Sequence, residues 1–197
     1  MKRNKSRLAG VLGLAVGLSL AAVGGASAAT WGPENYTWDP IPAGLARIDL
    51  SRTPLAATAH LVATQGSTGY GELIEMEKGY VYFEEANGRG ALFRERHVPT
   101  FKTWLKASWL SDQTDLDLGD VDVEQDRHEK GPMIYTLVPF EGNTCLVFRI
   151  NTGRKARIQN RHPATTALIN GMHCKPANEV YDAAVLLEDI AGIDILD

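Results

Sequence analysis

The residues with the clearest chemical potential lie in "DQTDLDLGDVDVEQD", Asp112 to Asp126, which holds seven carboxylates and no Lys or Arg. Aspartates at such spacing suggest an oxygen-lined calcium loop, with Asp115, Asp117, Asp120 and Asp122 as candidate ligands. Counted from Asp115, however, position five is Gly119 and position six is Asp120. The turn glycine therefore falls one step early, and position twelve is Asp126 rather than Glu. Leu116, Leu118, Val121 and Val123 alternate with the acids at the period of a strand, broken at Gly119 by a turn or bulge. On that reading the acids line a solvated edge that resists strand-to-strand aggregation. An irregular calcium site and pairing with a basic loop of the same chain are the competing expectations.

That basic loop is "RINTGRKARIQNR", which contains Arg149, Arg154, Lys155, Arg157 and Arg161 and no acid. Guanidinium forks suit phosphate and carboxylate groups. Arg154, Lys155, Arg157 and Arg161 are therefore the candidate ligand-binding residues. Their partner would be an anionic envelope polymer carrying phosphates or uronic acids, or an acidic protein patch.

Other chemistry is thinly represented. The chain has no G-x-S-x-G elbow, no P-loop, no G-x-G-x-x-G after a strand and no C-x-x-C. "HEKGP" at His128 begins like a zinc-protease helix, but Pro132 stands where the second histidine belongs. The five histidines, His60, His97, His128, His162 and His173, never fall at i, i+2 or i, i+4 spacing. His97, after "FRER", and His128, after the acidic run, are the candidate acids or bases. Carboxylates beside His128 would favour its charged form. Glu72, Glu75, Glu77, Glu84 and Glu85 provide paired acids, but any strand brings same-face carboxylates to glycosidase-like separations. No cofactor beyond the calcium possibility is implied.

The N-terminus bounds where this chemistry operates. Lys2, Arg3, Lys5 and Arg7 precede an apolar run from Leu8 to Val23 and then Ala26-Ser27-Ala28, the build of a cleaved secretory signal peptide. Residues 1–28 are read as that leader, residues 29–44 as an extended arm, and 45–197 as a single domain. Losing the leader removes four positive residues and no acid, which takes the formal net charge from −4 to −8. An acidic mature chain has no general attraction to nucleic acid, and no later segment is long and apolar enough to span a membrane. Exported to the periplasm or beyond, Cys145 and Cys174 would form a disulfide. It would draw together the ends of a polar, loop-like segment, 151–173.

Several elements must position these groups. The arm carries Trp31, Tyr36 and Trp38 as anchors. Thr53-Pro54 can cap a helix over 54–65 that stops at Gly66, although the β-branched end of that stretch also suits a strand. Runs at "ELIEME", "YVYFEEA" and "ALFRER", divided by Lys78-Gly79 and Asn87-Gly88, read as an antiparallel meander over 72–97. Pro99-Thr100 opens an amphipathic helix with Phe101, Trp104, Leu105, Ser108 and Trp109 as its stripe. A hairpin over 133–138 and 144–150 turns at Glu141-Gly142-Asn143. A last helix is capped by Asn178, buries Val180, Ala183, Ala184, Leu187 and Ile190, and ends at Gly192, with "IDIL" as a short strand after it. The expected fold is α+β, with one antiparallel sheet of about five to seven strands, two or three packed helices and one disulfide. The expected function is a non-catalytic binding or scaffold protein of the bacterial envelope. A polymer hydrolase using a histidine and carboxylates, and a calcium-dependent adhesion or stability module, are the alternatives.

Overall fold

Alternating and β-branched residues organise most of this chain into strands. A computed structural model describes residues 37–63, 69–86, 92–108, 110, 117–158, 162–177 and 182–196. Strands β1 (Trp38–Pro40), β2 (Ile48–Asp49), β3 (Ala57–Ala63), β4 (Gly69–Met76), β5 (Gly79–Ala86) and β6 (Phe93–Arg94) precede helix α1 (Val98–Ala107). Then follow β7 (Glu124–His128), β8 (Gly131–Phe140), β9 (Asn143–Ile158), β10 (His162–Pro176), helix α2 (Ala183–Ile190) and β11 (Asp194–Ile195). Nine of the strands form one sheet in the order β1-β3-β4-β5-β10-β9-β8-β7, with β6 also on β10, while β11 pairs with β2. Every pairing is antiparallel.

This overturns the α+β expectation: the protein is mostly β, and its main sheet has nine strands rather than five to seven. The largest correction concerns 151–173, read from its polarity as a loop. It forms most of a long hairpin in which β9 and β10 pair from Asn143 opposite Pro176 to Ile158 opposite His162. Strand pairing satisfies backbone groups whatever the side chains, so polar residues can stay in strands where one face meets solvent. Within the segment 54–65, Ala57–Ala63 likewise forms β3, the alternative its β-branched end allowed, while 64 and 65 lie outside the described residues. Thr53 does not cap a helix there; its hydroxyl donates to Leu50 O at 2.8 Å within a turn.

The meander is also corrected. β4 and β5 form the expected hairpin across Glu77-Lys78, but "ALFRER" does not continue it. Both edges of β5 are taken, by β4 and by Ala167–His173 of β10. Its strand, β6, pairs instead with Ala164 and Thr165 further along β10. The β8–β9 hairpin turns at Glu141-Gly142, both at positive φ of 48° and 71°, the geometry of a tight hairpin turn.

Both faces of the sheet centre are covered, which explains why its middle strands are largely apolar and why the few charges among them are buried. On one face Phe83, Leu146, Phe148, Ile150 and Ile169 pack under α2 through Leu186 and Ile190. On the other, Val138, Val147 and Met172 pack under α1 through Phe101, Trp104 and Leu105. The aromatic stripe expected of α1 is thus core, while Trp109 lies outside the described residues. α2 is capped by Asp182, whose carboxylate accepts from Ala184 N and Val185 N; the expected cap Asn178, with Val180, lies outside the described residues. The disulfide Cys145–Cys174 joins directly opposed residues of β9 and β10, with Cα atoms 4.0 Å apart. It staples a hairpin rather than closing a loop. Trp38 of β1 packs edge-on against Tyr82 with ring centres 6.0 Å apart, anchoring what the structure describes of the arm.

Candidate functional site

Over 117–123 the acidic run is a turn and irregular chain rather than a strand. Asp120 N donates to Asp117 O at 2.9 Å, and Asp117 Oδ1 accepts from Gly119 N at 2.8 Å. Regular pairing begins only at Glu124. The alternation survives in burial: Leu118 is buried and Val121 and Val123 pack against the α1-side core, while Asp117, Asp120 and Asp122 are exposed. Asp115 lies outside the described residues. The N–H of Gly119, and then Lys106 at 3.4 Å, hold the Asp117 carboxyl below its usual range. Among the described residues no cluster of three His, Cys, Asp or Glu side chains is arranged to hold a metal ion. None of the described acids of this run forms an ion pair with Arg154, Lys155 or Arg157.

The two candidate histidines do not share a site. His128, at the end of β7, is buried; its Nε2 donates to Ile190 O at 3.1 Å and its Nδ1 accepts from Lys130 N at 3.1 Å. Burial lowers its pKa, outweighing Glu129 and reversing the expectation that nearby carboxylates would hold it charged. Both ring nitrogens are occupied by backbone, so His128 pins β7 to the end of α2. His97 is placed quite differently. It caps α1, accepting on Nδ1 from Thr100 N at 3.2 Å. Nδ1 also lies 2.5 Å from the Thr100 hydroxyl, and Nε2 is hydrogen-bonded with Arg94 Nη1 at 3.5 Å.

The paired acids do not converge either. Glu72 and Glu84 are both buried, but Glu72 stands opposite Phe83 and Glu84 opposite Gly71, so the two point to opposite faces of the sheet. Glu72 accepts from Arg47 N and Ile48 N at 2.8 Å each and from the Tyr70 hydroxyl at 2.7 Å. Glu84 accepts from the Tyr82 hydroxyl at 3.1 Å. Arg149 belongs to this buried class and not to the basic loop. Its Nε donates to Asn170 Oδ1 at 2.8 Å, and its guanidinium lies 5.2 Å from the Trp104 ring centre. Burial lowers its pKa to about 10, against the pull of Glu84 and Tyr80, so it stays charged at neutral pH. On the α2 face, Asp189 accepts from His173 Nε2 at 2.8 Å and from Lys175 Nζ at 2.6 Å. Its burial opposes its charge, but these two donors hold its carboxyl below the usual range.

The outer end of the β9–β10 hairpin gathers cations. Arg154, Lys155 and Arg157 lie exposed on β9, beyond a bulge at which Gly153 takes a φ of 76°. Strand alternation sets Lys155 and Arg157 on one face and Arg154 on the other. Arg161 lies outside the described residues. β6 adds Arg94, which stands opposite Ala164, itself opposite Ala156, and His162 shares that face two residues along. Arg96, at a φ of 47°, turns the chain from β6 back into α1 so that His97 returns over Arg94. Buried Asn151 holds this turn: its Nδ2 donates to Arg94 O at 3.3 Å and its Oδ1 accepts from Arg96 N at 3.4 Å. Among the described residues no carboxylate is ion-paired with Arg94, Arg154, Lys155 or Arg157. Sequence reasoning found the β9 cations from composition. It missed Arg94 and His162, whose proximity follows from the β6–β10 pairing, and it read His97 only as an acid or base.

Fold and site together describe an antiparallel β protein with a helix on each face, a stapled central hairpin and a cationic outer end. No family, curated protein or solved structure matches this chain. The disulfide fits an oxidising, exported setting, and among the described residues no helix is long and apolar enough to cross a membrane.

Proposed function

We propose that this is an exported binding protein whose cationic end, built from β6, β9 and β10, holds an anionic polymer of the bacterial envelope. One observation carries the reading. In a chain of negative net charge, strand pairing collects Arg94, Arg154, Lys155 and Arg157 at one end with no carboxylate ion-paired to any of them among the described residues. Charges that the fold does not neutralise are available to a ligand, and a polymer with repeated anions engages several at once. The hydrolase alternative gains no comparable support. His128 is spent on backbone contacts, and the groups facing His97 are Arg94 and His162 rather than two carboxylates.

The test is retention of the purified chain on immobilised polyanions, one bearing phosphates and one bearing carboxylates, eluted with a salt gradient. Replacing Arg154, Lys155 and Arg157 together by Gln is expected to move elution to much lower salt. Equal elution of variant and parent, or no retention of the parent, overturns the reading. Retention only on an acidic protein surface replaces the polymer with a protein partner.

A further inference from the structure

We propose that a cleft at the turn end of the sheet, remote from the cationic end, binds a neutral glycosyl unit. The inference goes beyond the polymer-binding reading and does not rest on it. Strand register assembles the cleft on the α1 face. Tyr80 of β5 stands opposite Met172 of β10, Cys174 of β10 opposite Cys145 of β9, and Phe140 of β8 opposite Asn143 of β9. Met172 and the disulfide belong to the core beneath α1, and Tyr80 and Phe140 pack half-buried at its margin. Because β10 and β9 run between β5 and β8, the two rings spring from strands about 14 Å apart, three strand spacings. These residues line a cleft of about 370 Å³, a size proper to small-ligand sites. Its interior is two aromatic rings, a thioether and a disulfide sulfur.

Two hairpin turns set the mouth. Glu77-Lys78 closes the β4–β5 hairpin and Glu141-Gly142 the β8–β9 hairpin, and Glu77, Lys78, Glu141 and Asn143 all line the opening. Cys174 N donates to Lys78 O at 3.1 Å and Ala177 N to Gly142 O at 3.0 Å, so both turns are tied to β10 or the residue after it. Asn143 Nδ2 donates to Phe140 O at 3.2 Å and to Glu141 O at 3.0 Å, which fixes the second turn and leaves Oδ1 as an acceptor. Glu77, Lys78 and Glu141 are exposed, and among the described residues none of them is ion-paired. The mouth therefore presents two carboxylates, an amide oxygen and an ammonium around an apolar interior. That mixture selects the ligand class. An anion meets the glutamates, and a cation drawn by them meets Lys78. A hydroxyl both donates and accepts, so it suits either kind of group. A pyranose ring carries C–H groups on its faces and hydroxyls around its rim. It can lay a face against Tyr80, Phe140 or the Met172–Cys174 floor while its hydroxyls reach the mouth.

The experiment uses the full mature chain, isotope-labelled at its methionine methyl groups and followed by NMR. Met172 lines the cleft, whereas Met76 and Met133 lie in the core beneath α2 and serve as internal controls. The probes are cellotetraose, maltotetraose and the tetramer of N-acetylglucosamine. At least one is expected to shift Met172 saturably and to leave Met76 and Met133 unmoved. A galacturonic acid tetramer, a glucosamine tetramer and benzyl alcohol are the anionic, cationic and apolar arms, each expected to be much weaker. The double variant Glu77→Gln/Glu141→Gln is expected to weaken the saccharide about tenfold, the loss of a charge-assisted hydrogen bond. Phe140→Leu, which keeps apolar bulk and removes the ring face, is expected to weaken it as well. Phe140 packs against the core, so the exposed glutamates carry the test if Phe140→Leu fails to fold. No saturable Met172 shift with any of the three saccharides overturns the proposal. So does undiminished affinity in the glutamate variant, or a charged or apolar probe that binds as tightly as the best saccharide. Replacing Arg154, Lys155 and Arg157 by Gln is expected to leave the saccharide response intact. Loss of polyanion retention therefore bears on the cationic end alone, and loss of the Met172 response on the cleft alone.

Discussion

Glu72 and Arg94 lie on strands of one sheet and carry opposite charges, but the fold treats them differently. Glu72 is fully buried and accepts three hydrogen bonds, two of them from the backbone of the segment that leads into β2. Arg94 is half-buried and meets the His97 ring at 3.5 Å, with no carboxylate ion-paired to it among the described residues. The same contrast separates the whole centre of the sheet from its outer end. In the centre Arg149 has Asn170 and two aromatic faces, and Asp189 has His173 and Lys175. At the outer end Arg154, Lys155 and Arg157 extend into solvent with no ion-paired carboxylate among the described residues. Buried charges are tolerated only with partners. Those of the centre are therefore part of the fold, and those of the outer end are not required by it.

The strongest test of this division is Glu72→Ala. It strands the buried Ile48 N–H, the part-buried Arg47 N–H and the Tyr70 hydroxyl, and the expected loss is about 3–5 kcal/mol. Denaturant unfolding measures it. A loss under about 1 kcal/mol would place Glu72 among the dispensable charges and break the comparison at its firmest point.

Asn151→Ala comes next, because Asn151 belongs to the centre by burial and to the outer end by its contacts. It should lose about 1–3 kcal/mol as Arg96 N and the β6 carbonyls lose their partner. Unlike Glu72→Ala, it should also weaken retention on an immobilised polyanion, since the turn that sets Arg94 in the cationic end is no longer fixed. Stability falling with polyanion retention intact would show that the turn holds its shape without Asn151.

How much of this was readable in the sequence follows the range of the interactions. Local signals held: the tight turn at Glu141-Gly142, the Phe101–Trp104–Leu105 stripe of α1, the final short strand and the cysteine pair are where their local pattern puts them, and the turn expected at Lys78-Gly79 falls one residue earlier. Failures came where pairing partners are remote. The segment 151–173 looked like a loop because its residues are polar, and nothing local announces that β9 and β10 will satisfy each other's backbone over most of their length. The destination of β6 was hidden because it depends on which edges of β5 are already occupied. For the site, Arg154, Lys155 and Arg157 were visible as composition, whereas Arg94 and His162 join them only through the register of β6 on β10.

The Asp189 cluster allows a finer test of the centre. Asp189→Asn removes the charge shared by His173 and Lys175, and the expected loss at neutral pH is about 1–2 kcal/mol. The carboxyl is held below its usual range in the folded protein, so its contribution is full above the unfolded value of about 3.9. It is then lost as pH falls through the folded value. Parent and variant should therefore differ in melting temperature at pH 7 and converge in acid. A difference that persists at pH 2 would trace to packing of α2 rather than to charge.

The smallest expected effect is the most discriminating. Replacing Arg154, Lys155 and Arg157 together by Gln should change stability by no more than about 0.5 kcal/mol, as for exposed positions without partners. Any change should be a gain, because like charges close together on one strand repel. Salt gives the sign independently. Screening should relieve that repulsion in the parent and raise its melting temperature slightly, while the variant should respond less. If the triple variant instead loses 1 kcal/mol or more, these cations are paired within the fold after all. The outer end would then be structural in the same sense as Glu72, and the difference between the two regions would disappear.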